Sequence, residues 1–243
     1  MGIDDVHQQL IGRVMRISES ASFSHVNDEL EEISSLLGFD GFYYYGRFYT
    51  GSTRYIEQVE SNYSAAWHER YDKLHYAQID PVVHHAQQSL CPLIWTDDLY
   101  KTECQRRFRG EARMHGLAEG VTLPVHGRNG DVAFLSLAVA RSDDEARRHV
   151  RDMLNWGSLL ATFTHEAMRR IVKTQRMAPA PRLTSREAEV LGLVAGGKST
   201  WEISRLLNIS EHGVSHHVRN VLFKFDVGSR HQAVAKAVAF GLL

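Results

Sequence analysis

Between Ser199 and Phe225 the apolar residues fall on two short helical stripes with a break between them. Ile203, Leu206 and Leu207 recur at the three- and four-residue spacing of one helix face, and Val214, Val218, Val221, Leu222 and Phe225 do the same for a second. Ser199 and Glu202 have the spacing of a capping box, in which the hydroxyl accepts from the third helical N–H and the carboxylate reaches back to the cap's own N–H. Asn208 supplies a stop and Ser210 a second cap. Upstream, Thr184 and Glu187 repeat the capping box before Val190, Leu191 and Val194; downstream, Ser229 precedes the stripe Ala233, Val234, Ala237, Val238 and Phe240. Four short helices therefore fit between residues 183 and 243, and a compact four-helix unit buries apolar sides that a lone helix pair cannot. Ser215, His216, Arg219, Asn220 and Lys224 lie off the second stripe, as a helix offering donors to base edges and phosphates in a major groove would place them.

The first 172 residues carry a mixed pattern. Val6, Leu10, Val14 and Ile17 repeat as one helix face and Val26, Leu30, Ile33 and Leu37 as another, stopped by Gly38. Residues 42–49 and 55–59 are β-prone runs separated by Thr50-Gly51-Ser52-Thr53; residues 121–125 and 132–140 form a second such pair around Gly127-Arg-Asn-Gly130. Residues 145–171 predict one long closing helix. Helices before, between and after hairpins predict an α+β fold, an N-terminal α-β-α sandwich on an antiparallel sheet followed by the all-α unit. Two prolines in three residues, Pro179 and Pro181, mark residues 173–182 as a linker.

Tyr63, Trp67 and Tyr71 recur every four residues as an aromatic stripe on a predicted helix. Such a stripe alone is more often core than binding site. Asp80 changes the picture: held extended by Pro81, a carboxylate among Tyr and Trp needs a donor, and the amide N–H of a small ligand would serve; a satisfied loop Asp is the alternative.

Composition removes several classes. The chain has 243 residues and a net charge of −1, but residues 182–243 hold eight Lys/Arg against five Asp/Glu, so the smaller part is mildly basic and modest in phosphate affinity without dimerisation. No apolar run approaches a membrane span and the first residues lack a signal-peptide pattern, so a cytoplasmic protein without membrane association is expected. Cys91 and Cys104 lack paired-ligand spacing, and adjacent His216 and His217 diverge on a helix, so no metal site is expected. Gly192-Leu-Val-Ala-Gly-Gly197-Lys198-Ser199 satisfies the phosphate-loop pattern, yet the segment before it is helical rather than a strand, and too little chain follows for the parallel sheet of a nucleotide hydrolase. There is no G-x-S-x-G turn and no H-E-x-x-H, so no catalysis and no cofactor are expected.

Leu183-Thr-Ser-Arg-Glu187, Gly197-Lys-Ser, Glu202-Ile, Val214-x-x-His217-x-x-Asn220, Lys224-Phe225 and the closing Gly241-Leu-Leu resemble the DNA-binding domain of LuxR-type transcription factors. That resemblance implies a tetrahelical helix-turn-helix over 183–243 whose third helix reads DNA. Ser215 and Arg219 match base-approaching positions, beside Asn220, with His217, Lys224, Lys198 and Arg230 expected on phosphates. Gly213 departs from the side chain the family usually carries there, at a cost of up to about 1 kcal/mol in the first helical turn.

From Gly38 to Val139 the chain resembles the acyl-homoserine-lactone-binding domain of the same family, especially its LasR-like members. The resemblance implies that Trp67 donates to the lactone carbonyl, Asp80 accepts from the ligand amide, and Tyr63 and Ser136 bond the acyl carbonyl. Tyr71, Val82, Trp95 and Phe108 would line the pocket, with Thr122 beside the head group, while Tyr43 and Tyr45 would restrict it to a short or medium acyl chain. The expectation is a quorum-sensing regulator with residues 1–172 binding a lactone and dimerising, and residues 183–243 binding a palindromic promoter site. A receptor acting through an accessory protein or answering a foreign signal, and a lactone- or nucleotide-processing enzyme, are the alternatives.

Overall fold

The computed structural model describes residues 3–49, 55–127, 130–175 and 180–243, and the chain divides into two compact units, the larger ending at Gln175. The larger unit runs α1 (Ile3–Glu19), α2 (Phe23–Leu36), β1 (Gly41–Tyr49), β2 (Tyr55–Ser61), α3 (Ala65–Lys73), α4 (Pro81–Gln88), β3 (Leu93–Ile94), α5 (Glu103–Met114), β4 (Glu119–His126), β5 (Val132–Val139), α6 (Asp144–Asp152) and α7 (Leu154–Gln175). The five strands form one sheet in the order β2-β1-β5-β4-β3, and the β1–β5, β5–β4 and β4–β3 pairs are antiparallel.

Strand alternation gives the sheet two different faces. Phe42, Tyr44 and Phe48 of β1 are fully buried, and the Tyr44 hydroxyl meets His165 Nδ1 of α7 at 3.0 Å. On that side α1 and α2 pack on α7 through buried Leu10, Val14, Ile17, Val26, Leu30 and Ile33, each contributing roughly 1.5–3 kcal/mol by burial. Tyr43, Tyr45 and Arg47 alternate to the other face, where register sets them opposite Ser136, Phe134 and Val132. That second face is covered through α3, α4 and α5, and a cavity lies there.

Three local expectations change. Tyr63 precedes the Ser64 cap of α3, so only Trp67 and Tyr71 lie on the helix. The long closing helix is interrupted at Met153, which caps α6 through the carbonyls of His149 and Arg151; the apolar period runs through the break because both segments bury a face against β4. α7 extends through Gln175, so Lys173, Thr174 and Gln175 of the expected linker are helical, while Pro179 and the first-hairpin turn at 50–53 lie outside the described residues.

The smaller unit contains α8 (Ser185–Ala195), α9 (Thr200–Leu207), α10 (Glu211–Phe225) and α11 (Arg230–Phe240). Both capping boxes form, Thr184 with Glu187 and Ser199 with Glu202. Val190, Ile203 and Val214 make one buried cluster; Leu191, Val221, Phe225, Ala233 and Ala237 make the other. The phosphate-loop string is the end of α8 and the start of α9. Gly197 takes φ +78°, open to glycine without strain, and the Lys198 N–H closes on the Leu193 carbonyl at 3.1 Å.

Candidate ligand cavity and DNA-reading helix

A cavity of about 500 Å³ lies on the α3–α5 side of the sheet, within the size range of small-molecule sites. Every ligand residue expected from the sequence lines it except Thr122. Trp67 is clamped between Phe108, stacked at 5.9 Å, and the edge of Tyr71 at 5.9 Å. Gly120 allows Trp95 to lie against the sheet: a Cβ there would fall 2.7 Å from the indole ring and 2.6 Å from the Leu137 carbonyl. The Trp95 indole N–H donates to Thr122 Oγ1 at 2.9 Å, and Thr122 Oγ1 lies 2.7 Å from Ser136 Oγ. Thr122 therefore stands behind the cavity wall, its hydroxyl bonded to Trp95 and Ser136.

Asp80 is the N-cap of α4, with Pro81 at the first helical position where no N–H is needed. One carboxylate oxygen accepts from the Val82 N–H at 2.9 Å and the other from the Tyr71 hydroxyl at 3.0 Å. Burial raises the Asp80 carboxyl to about 6, against the pull of these two bonds and of nearby His84. A charged acceptor with room for one more donor is thus held at a cavity wall. Tyr63 is the complementary case. Its ring rests on Gly41, where a Cβ would come within 3.0 Å, and its buried hydroxyl has no hydrogen-bond partner among the described residues. Burial, then Tyr43 and Asp80, hold that phenol above the usual tyrosine range, so it remains a neutral donor.

Tyr43 stacks on Tyr63 at 5.7 Å and on Phe134 at 6.0 Å, and Phe134 stacks on Tyr45 at 5.5 Å. These rings form a flat wall along β1 and β5. Sequence reasoning missed the other side: Arg109, only 4% exposed, lines the cavity while donating to the carbonyls of Leu117 and Ala118, and Tyr100 lies under its guanidinium. Its helix, α5, starts at a capping box of Thr102 and Gln105, a signal readable for the helix but not for the burial of Arg109. Arg47, Glu57, His68 and Asp72 also line the cavity.

On α10, Ser215 and Arg219 are exposed on one face, and Asn220 bonds His216 at 3.2 Å. His217 is half-buried, whereas Arg230 is exposed beside the Ser229 cap of α11. Lys198 pairs with Glu202 at 3.4 Å on the surface. Lys224, expected on a phosphate, has partners within the unit: its ammonium is 2.6 Å from the carboxylate of Glu187, which is 3% exposed, and 3.0 Å from the Arg182 carbonyl. Burial drives the Glu187 carboxyl upward, but the Lys224 and Thr184 bonds outweigh it and leave it below its ordinary value. Lys224 thus ties α10 to α8. Phe223, which the sequence did not single out, is 86% exposed four residues beyond Arg219.

Residues 22–168 match the family model of the autoinducer-binding domain, and residues 181–237 that of bacterial regulatory proteins of the luxR family. The putative HTH-type transcriptional regulator y4qH of Sinorhizobium fredii is 35% identical over 185 residues, 75% of this chain and 56% of that protein, so the chain spans little more than half of that relative. The HTH-type quorum-sensing regulator RhlR of Pseudomonas aeruginosa is 33% identical over 88% of each chain. The structure of SdiA in complex with octanoyl-rac-glycerol aligns with a TM-score of 0.75 and 27% identity, over 100% of this chain and 98% of that one. The chain belongs to the LuxR family of quorum-sensing transcriptional regulators, with an autoinducer-binding domain and a helix-turn-helix DNA-binding domain.

Proposed function

We propose that the cavity binds one N-acyl-homoserine lactone and that ligand occupancy governs binding of a homodimer to a palindromic promoter element in the cytoplasm. The carrying observation is the paired provision of Asp80, a buried acceptor, and Tyr63, a buried donor without a partner, in one aromatic cavity. An acylated amide presents the complementary N–H and C=O: the C=O would satisfy the Tyr63 hydroxyl, which is otherwise costly to bury, and the N–H would add a third donor to Asp80. In this reading Asp80 takes the amide N–H, Tyr63 and Ser136 the acyl carbonyl, and Trp67 the lactone carbonyl. Tyr43 and Tyr45, fixed in the stacked wall, favour a short or medium chain. RhlR, a quorum-sensing regulator by name, and the acylglycerol held by SdiA support an acyl ligand. With Lys224 committed to Glu187, few cations remain on α10, which supports paired half-sites as the source of affinity.

Calorimetric titration of the purified protein with a lactone series, with octanoyl glycerol as a competitor lacking the amide, tests this reading. It expects one lactone per chain, short or medium chains ahead of long ones, and loss of the lactone preference in Asp80→Asn. Tighter binding of long chains would refute the length assignment, and absence of lactone binding the reading itself.

A further inference from the structure

We infer that the end of the cavity remote from Ser136 is a polar subsite selecting an acyl group with a hydroxyl at its far end; this rests on the acyl-lactone reading above. Register fixes the direction. Tyr43 is opposite Ser136, Tyr45 opposite Phe134 and Arg47 opposite Val132, so Arg47 stands four residues along β1 from the acyl-carbonyl site, roughly 13 Å at strand rise. Up to Phe134 the wall is aromatic and suits a hydrocarbon. Beyond it the chemistry changes. The Tyr45 hydroxyl donates to Glu57 Oε1, Arg47 Nη2 reaches the same oxygen at 3.4 Å, and Arg47 Nε donates to the Tyr45 hydroxyl at 3.2 Å. Both donors use Oε1, and Oε2 takes neither of them.

All three residues line the cavity, and the Arg47 and Glu57 side chains are 30% and 47% exposed, so the cluster sits where the cavity meets solvent. A methyl terminus arriving here strips water from a carboxylate and returns no hydrogen bond, whereas a hydroxyl donates to Oε2 and keeps Glu57 satisfied. A site built to bond a substrate hydroxyl discriminates strongly against the analogue without it. Tyr45 thereby has two roles: its ring continues the stacked wall and its hydroxyl holds Glu57 in position.

The test is calorimetric titration of the full-length protein with two matched series of acyl-homoserine lactones, of four to ten acyl carbons, one ending in methyl and one in a terminal hydroxyl. At the length that spans the wall, the hydroxylated ligand is expected to bind at least tenfold tighter, with the ratio falling to about one in Glu57→Leu and reduced in Tyr45→Phe. Glu57 lies on the exposed face of edge strand β2, and thermal melts of Glu57→Gln, which keeps size and polarity, control for folding. Equal affinity of the two series at every length, or a preference unchanged in Glu57→Leu, would overturn the subsite while leaving lactone binding intact. Failure of both series to bind at any length would overturn the lactone reading and the subsite with it.

Discussion

Removing the Tyr63 hydroxyl should stabilise the empty protein and weaken it as a receptor. The hydroxyl is buried, its ring is held against Gly41, and it has no hydrogen-bond partner among the described residues. A buried polar group in that state costs about 1–3 kcal/mol, so Tyr63→Phe should raise the stability of the ligand-free form by about 1 kcal/mol or more. For a unit of this size that is about 2–4 °C in Tm. In the complex proposed above the balance would reverse, because there the phenol would donate to the acyl carbonyl and its loss would forfeit about 1 kcal/mol. The difference between the two states is about 2 kcal/mol, roughly a thirtyfold loss of affinity. Thermal melts without ligand and calorimetry with a lactone measure the two halves separately. A lower Tm of the empty variant, or an unchanged Kd, would refute the assignment of Tyr63 as a donor held in reserve for the ligand.

Other consequences follow from the same geometry. Because burial raises the Asp80 carboxyl to about 6 and an amide donor favours its ionised form, the bound-state value lies lower and binding requires loss of a proton below about pH 6. Affinity should be level near pH 7 and fall as pH drops through 6, towards tenfold per unit, and Asp80→Asn should flatten the profile; a level profile in the native protein would contradict this. Gly120→Ala should drive Trp95 off the sheet at about 1–3 kcal/mol, seen as a lower Tm and an altered near-ultraviolet dichroism signal from tryptophan; retention of both would show that the close approach is dispensable. Lys224→Met should leave Glu187 buried without its partner and destabilise the DNA-binding unit by about 1–3 kcal/mol while keeping base preference, whereas Arg219→Ala should relax preference at one base pair by about 1–3 kcal/mol. Selection of binding sites from random DNA distinguishes these two outcomes.

The helices of the DNA-binding unit were legible because caps and apolar period agree at each of them: Ser199 with Glu202 and Thr184 with Glu187 specify starts that tertiary packing does not move. The strands were legible because β-branched and aromatic runs mark β1, β2, β4 and β5. Met153 shows the opposite case. No proline or glycine marks that break, and the apolar spacing crosses it because α6 and α7 both bury a face on β4. The lining of the cavity was readable where a residue type is unusual for its setting, as with Asp80 before Pro81 among aromatics. It was unreadable where identity depends on partners distant in sequence. Thr122 differs from a pocket-lining threonine only through Trp95 and Ser136, the tie of Lys224 to α8 exists only through Glu187, and Arg109 differs from a surface arginine only through the carbonyls at 117 and 118.

The central claim is that this aromatic cavity, with Asp80 and Tyr63 at its head-group end, holds an intact acyl lactone. Mass spectrometry of the ligand extracted from protein purified out of cells supplied with a mixed panel of acyl-homoserine lactones tests it most directly. The expected result is one short- or medium-chain lactone per chain, ring closed, and markedly depleted in Asp80→Asn. Recovery of a ring-opened product, or of no acylated homoserine at all from well-folded protein, would contradict it.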